Sequence, residues 1–348
     1  MITFPYELDT ITLCPYTEAQ QVDVVLNGQN ILSATLTPDS TNSITLSDMG
    51  RYLSDRVEEV RRASSSPNAF SEQTLNIQVA GKTVKAYTLR PCRSRMRKKA
   101  ADLVPTIFLT MATGGTKLMP AICERERLYL LSDEETGHYA YTITTYWQHV
   151  QSRVMRSTSA TTDGNANPGQ VVVVDLTPYR PTPPPDDSGL WLLMHYKITS
   201  NGRSLTYKIA PDGLAQSEVA CIEFENSFGL IDTFYFQGQI EKEVKPTYSA
   251  ASINGTQQNY SIDTLTTYKA ATGPLTDAMV ALLTDLATSC RVEWNGRPIT
   301  ITACELKPVN TFSEMQKATI TWREGNEGTE LPRGTFDNTF DATFDRTT

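Results

Sequence analysis

Four stretches of the chain alternate hydrophobic and polar residues on both sides of a two-residue break. In QVDVVL-Asn27-Gly28-QNILSATL, LLMHYKITS-Asn201-Gly202-RSLTYKI and RVEW-Asn295-Gly296-RPITITA, β-branched and aromatic residues flank an Asn-Gly pair. That dipeptide supplies the positive φ needed at both central positions of a type I′ turn, so each stretch predicts a β-hairpin. TLNIQVAGKTVKAYTL predicts a fourth hairpin around Gly81. Between Leu103 and Val174 the apolar runs TIFLTM, LYLL, YAYTITTYW and VVVVDL add further strands.

Two segments carry the helical period instead. In SDMGRYLSDRVEEV, Met49, Tyr52, Leu53, Val57 and Val60 fall on one face, with Ser47 or Asp48 placed to cap the first turn. In GPLTDAMVALLTDLATS, Leu275, Met279, Leu282, Leu283 and Leu286 form an apolar stripe, and Pro274 suits a first helical position. This second helix is expected to cover a sheet.

The breaks in these patterns predict the domain organisation. PYRPTPPPDDSG, from Pro178 to Gly189, cannot continue a sheet ladder because its prolines lack donors. SATTDGNANPG, 159–169, is small and polar and reads as an exposed loop. The expected layout is an N-terminal β-rich region, 1–180, divisible into two subdomains near 90–102, followed by a proline-rich linker, 181–189. A C-terminal β-rich domain with one covering helix, 190–332, and an extended arm, 333–348, complete it. The fold class is mainly β, with antiparallel sandwich-like domains and a few short helices.

Charge and candidate chemistry narrow the function classes. A net charge of −8 disfavours a protein that wraps nucleic acid over most of its surface. The exception is RPCRSRMRKK, where Arg90, Arg93, Arg95, Arg97, Lys98 and Lys99 could meet an acidic neighbouring subunit or, less in keeping with the overall charge, nucleic acid. A solvated loop is the structural alternative. The start MITFPYELDT lacks the basic and apolar regions of a signal peptide, and no apolar run of about 18 residues occurs, so neither export nor membrane insertion is expected. The sequons Asn254-Gly255-Thr256 and Asn259-Tyr260-Ser261 then read as coincidental.

The six cysteines form no metal-ligand pattern and are expected as buried reduced thiols; the three histidines form no HExxH. No GxSxG, GxxxxGK[ST] or GxGxxG occurs, so no cofactor, metal or catalytic residue is assigned. Carboxylate pairs such as Glu223 with Glu225, or Asp186 with Asp187, are open to a glycosidase reading, but such proximity is the ordinary property of a strand edge or loop.

CIEFENSFGLIDTFYFQGQIEKEV places Phe234 and Phe236 on one strand face, a core pattern, and carries Phe224, Asn226, Phe228, Gly229 and Asp232 as Phe-x-Asn-x-Phe-Gly-x-x-Asp. This element resembles one recurring in phage and prophage structural proteins of Bacteroides-type bacteria. VVLNGQNILSATLTPDSTNSITLSDMGRYLSD and TGPLTDAMVALLTDLATSCRVEWNGRPITI are similar to the strand, hairpin and helix segments of those proteins. The tail TFDNTFDATFD resembles the Phe-Asp repeats that close many phage tail components, and it sets Phe336, Phe340 and Phe344 at equal steps on one face of an extended strand.

The resemblance implies a non-enzymatic virion component, of tail or neck, made in the bacterial cytoplasm and acting through contacts with copies of itself and other virion proteins. The expected contact residues are Phe336, Phe340 and Phe344 in the arm, with Arg93, Arg95, Arg97, Lys98 and Lys99 in the basic cluster. The alternative is a glycan-binding module or adhesin, gripping a host glycan through exposed aromatics such as Trp147 or Trp191.

Overall fold

The computed structural model describes residues 2–63, 72–92, 99–120, 126–176, 190–209, 220–236, 240–253, 256–307 and 316–324. The fold is mainly β, with several antiparallel sheets and three short α-helices among the described residues. The chain forms two compact units built from alternating segments. The first comprises Met1–Asp212, Glu225–Thr233 and Asp277–Ser289; the second comprises Gly213–Phe224, Phe234–Thr276 and Cys290–Thr348. The sequence on both sides of the proline-rich segment 181–189, as far as Asp212, therefore belongs to the first unit; 181–189 itself lies outside the described residues.

The first unit begins with β1 (Ile2–Thr3), β2 (Ile11–Leu13), β3 (Gln20–Leu26), β4 (Gln29–Leu36), β5 (Ile44–Leu46), α1 (Met49–Ala63), β6 (Gln73–Val79) and β7 (Lys82–Leu89). Five of these strands form a sheet in the order β1-β7-β6-β3-β4, while β2 pairs with β5. Alternation decides what is buried. Val22, Val24 and Leu26 of β3 and Leu75, Ile77 and Val79 of β6 point into one core, which Ile11, Leu13, Ile44 and Leu46 close together with Met49, Leu53 and Val57 of α1. The 3.6-residue period of α1 is thus read correctly from the sequence.

All four expected hairpins form. Asn27, Asn201 and Asn295 have φ of 48, 45 and 52°, and Gly28, Gly202 and Gly296 have 81, 80 and 73°. At the fourth, Ala80 and Gly81 adopt 48 and 77°.

The same unit continues with α2 (Ala100–Leu103), β8 (Thr116–Met119), β9 (Arg127–Leu131), β10 (His138–His149), β11 (Met155–Asn165), β12 (Val171–Asp175), β13 (Trp191–Ser200) and β14 (Arg203–Ile209). A second sheet runs β11-β10-β13-β14-β8, and β12 pairs with β9.

Two expectations fail here. TIFLTM is not a strand: after a 3₁₀ turn at Val104–Thr106 it runs as bends, with Phe108 and Leu109 fully buried. Side chains take the place of a neighbouring strand. Arg203 Nη1 donates to Ile107 O at 2.9 Å, Thr113 Oγ1 to Phe108 O at 3.0 Å, and Asn226 Nδ2 to Leu109 O at 2.8 Å. The second failure is 159–169, read as a loop, whose first seven residues belong to β11. β11 is exposed on both faces for almost its whole length, so it has no buried side to generate an alternating pattern.

The second unit contributes most of β15 (Ala220–Glu225) and half of β16 (Ile231–Phe236), then β17 (Ile240–Ile253) and β18 (Thr256–Ala271). After α3 (Asp277–Ala287), which belongs to the first unit, come β19 (Val292–Trp294), β20 (Arg297–Lys307) and β21 (Lys317–Glu324). The sheet order is β16-β15-β19-β20-β21-β18-β17. Phe234 and Phe236 are buried, with ring centroids 4.7 Å apart, and Trp322 stacks on Tyr268 at 5.8 Å. α3 starts three residues after Pro274, so that proline precedes the helix, and Leu275 bridges to Gln316.

Within the first unit, α3 packs closely against Gly115, just before β8. A Cβ built on Gly115 would lie 2.0 Å from the Ala278 Cβ. Overpacking of this kind costs about 1–3 kcal/mol, so Gly115→Ala is expected to lower stability by that amount in urea unfolding. Adding Ala278→Gly should restore most of the loss.

Candidate assembly surfaces

β17 and β18 are long. They pair continuously from Ile240↔Ala270 to Ile253↔Thr256, whereas β21 accompanies β18 only over Tyr268–Ala271. Beyond Thr267 the two strands therefore run about 30 Å as a ribbon with no third strand among the described residues.

Directly paired residues of an antiparallel ladder share a face. Val244, Pro246 and Tyr248 thus share one face with their partners Thr266, Thr264 and Ile262. On the other face lie Glu241, Glu243, Lys245 and Thr247 with Lys269, Thr267 and Leu265 of β18, Lys245 Nζ standing 3.0 Å from Glu243 Oε1, while Lys242 lies at the end of the Val244 face. The ribbon is amphipathic, yet its apolar side is open: Val244, Tyr248 and Ile262 are 49%, 57% and 56% exposed. Pro246, which lacks a backbone donor, interrupts the outer edge of β17, and Lys242 and Lys245 guard it, so the face rather than the edge is the adhesive feature.

β11 presents the opposite arrangement. It is an edge strand of eleven residues paired with β10 without a register shift, and it contains neither proline nor lysine. Hydroxyl pairs lace it to β10: Thr142 with Thr161 at 3.0 Å, Thr144 with Ser159 at 2.9 Å, and Thr145 with Thr158 at 2.6 Å. At its start Val154 and Met155 are half exposed, and Leu190, bonded through its carbonyl to Val150 N, is 67% exposed. Its outer edge keeps a row of backbone donors and acceptors of the kind other strands pair with.

The predicted contact residues are described only at one point. Phe336, Phe340, Phe344, Arg93, Arg95, Arg97 and Lys98 lie outside the described residues. Lys99 is exposed and precedes α2. Arg90 is buried, donating to Glu72 Oε1 at 2.7 Å and to Gly169 O, so it has a structural role. Trp147 and Trp191, the aromatics named for glycan stacking, are both buried. Trp147 Nε1 donates to Thr145 Oγ1 at 2.9 Å, and the Arg156 guanidinium covers the Trp191 ring at 5.4 Å. Of the candidate carboxylates, Glu225 is buried and Glu223 half-buried; Asp186 and Asp187 lie outside the described residues. The five described cysteines are free thiols, and only Cys92 is buried; Cys14 and Cys290 are exposed. Among the described residues no cluster of His, Cys, Asp and Glu could hold a metal ion, and no helix is long and apolar enough to cross a membrane.

The Phe-x-Asn-x-Phe-Gly-x-x-Asp element has a structural explanation in the first unit. Asn226 Oδ1 accepts from Phe228 N at 2.9 Å and Leu230 N at 3.1 Å, closing a turn in which Gly229 has φ 74°. Phe228 and Leu230 enter the core with Phe4, Leu103 and Leu109. Ser227 bonds Asp285 of α3 through both its N–H, at 3.0 Å, and its hydroxyl, at 2.6 Å.

The chain matches no protein-family model, and no curated protein or solved structure is significantly similar to it.

Proposed function

We propose that this chain is a structural subunit of a phage virion, of tail or neck, that works through repeated contacts with copies of itself and other virion proteins. The observation that carries the reading is the amphipathic β17–β18 ribbon. A water-exposed face bearing Val244, Tyr248 and Ile262 opposite a charged face is costly for a monomer and useful to an assembly. The long edge of β11, which carries no proline or lysine and only Arg156 and Asp163 as charges, offers a second, hydrogen-bonding contact of the strand-addition type. The partial resemblance of the 224–232 element and the terminal Phe-Asp repeat to phage structural proteins supplies the virion setting.

The ribbon gives the test. Tyr248→Ser with Ile262→Ser alters two exposed side chains and leaves the core intact. Burying such side chains contributes about 1.5–3 kcal/mol each, and about 1.4 kcal/mol is tenfold in affinity, so the variant should associate at least tenfold more weakly in mass photometry across a concentration series. A wild-type protein that stays monomeric at every concentration and is missing from purified phage particles overturns the reading. A monomer retained by immobilised polysaccharide would instead favour a glycan-binding module.

A further inference from the structure

The first unit encloses an amine between two carboxylates. Lys117 lies on β8, Glu126 just before β9, and Asp232 and Thr233 on β16, and all four side chains are almost completely buried. Lys117 Nζ is 2.8 Å from Glu126 Oε1, 2.9 Å from Asp232 Oδ1 and 3.0 Å from Thr233 Oγ1. Asp232 Oδ1 also accepts from Thr233 N at 2.9 Å, and its Oδ2 accepts from the Thr110 hydroxyl. Thr233 Oγ1 donates to Glu126 Oε2. The Tyr207 ring centroid lies 6.0 Å from Nζ, so an aromatic wall borders the site.

We propose that Lys117 and Asp232 become joined by an intramolecular isopeptide bond, with Glu126 as the proton carrier. This inference stands independently of the assembly role. Glu126 takes a proton from the ammonium and passes it to the Asp232 carboxylate, leaving a neutral amine beside a carboxylic acid. The Nζ lone pair attacks Asp232 Cγ, forming the C–N bond; the Thr233 N–H holds the developing oxyanion on Oδ1. Glu126 relays a second proton from the nitrogen to Oδ2, the C–Oδ2 bond breaks, and one water leaves. Three nitrogen-bound hydrogens become one on the amide and two on the water. Glu126 ends as it began, and no oxidant or reductant is required.

The surroundings favour the product. In water, amine and acid are held apart by ionisation and by excess solvent, whereas here both are desolvated and fixed at contact distance. Condensation removes an ammonium and one carboxylate from a low-dielectric core and so eliminates the desolvation cost of both charges, while the remaining Glu126 carboxylate keeps the Thr233 hydroxyl and gains the new amide N–H as donors. Burial works to lower the Lys117 pKa, but the Asp232 and Glu126 carboxylates outweigh it and hold the ammonium above the usual lysine range. The first proton transfer is therefore uphill, and the reaction follows folding rather than accompanying it. Burial, reinforced by the Glu126 charge, pushes the Tyr207 phenol well above its ordinary range, so it stays neutral beside the reacting groups.

Intact-mass measurement of the purified, denatured full-length chain tests the proposal. The expected mass is one water below that of the sequence, and proteolysis should release a branched peptide joining Lys117 to Asp232, with no tryptic cleavage after Lys117. Asp232→Asn should lose one ammonia instead of one water, while Lys117→Arg and Glu126→Gln should keep the full mass. A wild-type chain at full mass overturns the proposal, as does a water loss that maps to Asp163-Gly164 or Asp212-Gly213, where succinimide closure gives the same change. Water loss persisting in Glu126→Gln would overturn the role of that carboxylate. Should the variants fail to fold, the wild-type mass and peptide map still decide.

Discussion

Replacing Lys117 by methionine is expected to lower the stability of the protein by about 3–5 kcal/mol, the range for removing one partner of a buried ion pair. The loss arises less from missing attraction than from what remains. Glu126 and Asp232 would share a dry site with no cation, and methionine can donate no hydrogen bond to either. The variant also cannot form the amide. Urea unfolding followed by intrinsic fluorescence measures the change.

Two controls separate charge from packing. Combining Lys117→Met with Glu126→Gln and Asp232→Asn removes the stranded charges at nearly constant volume, so the triple variant should be clearly more stable than Lys117→Met alone and should fall short of wild type only by what the missing cross-link contributes. The second control is pH. In the single variant two like charges face each other in a dry site without a cation, and protonating either one removes that repulsion, so the deficit relative to wild type should shrink as pH falls from neutrality. A triple variant as unstable as the single one, with a pH-independent deficit, would point to a packing defect instead.

The local rules of the chain were legible where two signals coincided. At Asn27-Gly28, Asn201-Gly202 and Asn295-Gly296 the turn chemistry and the flanking alternation agree, and the hairpins follow. Asn254-Gly255 carries the same dipeptide, between β17 and β18, but the expectation that its sequon is coincidental assigns it no turn, so the longest ribbon has no counterpart among the expected hairpins. The alternation of Glu243, Val244, Lys245, Pro246, Thr247 and Tyr248 was the available signal. It predicts a strand, yet it says nothing about whether the apolar side is covered.

Other features were illegible for a physical reason. β11 has two wet faces, so hydrophobic patterning is silent about it. Residues 107–109 are apolar and buried like a strand, but the Ile107 and Leu109 carbonyls are satisfied by Arg203 and Asn226, 96 and 117 residues away, while Thr113 in the next turn takes the Phe108 carbonyl. The alternation of chain segments between the two units is likewise a long-range property. Lys117 and Asp232 are 115 residues apart in sequence, and only the fold brings the amine to the acid. Asp232 belongs to the motif, whereas the lysine that meets it lies outside that motif.

Asn226→Ala should be nearly as damaging as loss of Lys117, at about 3–5 kcal/mol. The Asn226 side chain is fully buried and makes three hydrogen bonds, accepting from Phe228 N and Leu230 N and donating to Leu109 O. Alanine strands two donors and one acceptor without water, and an unsatisfied buried group costs about 1–3 kcal/mol. Asn226→Asp discriminates further. A carboxylate can still accept both N–H bonds, but its second oxygen would face the Leu109 carbonyl, a repulsion that raises the folded-state pKa. Protonation converts that oxygen into a donor and restores the third bond. Stability of the aspartate variant should therefore be greatest below the carboxylate range of about 4 and fall as pH rises through the raised value, whereas the alanine variant's deficit should not track that titration. Equal pH dependence in the two variants would mean that the Leu109 bond contributes nothing and that the turn is held by its backbone bonds alone.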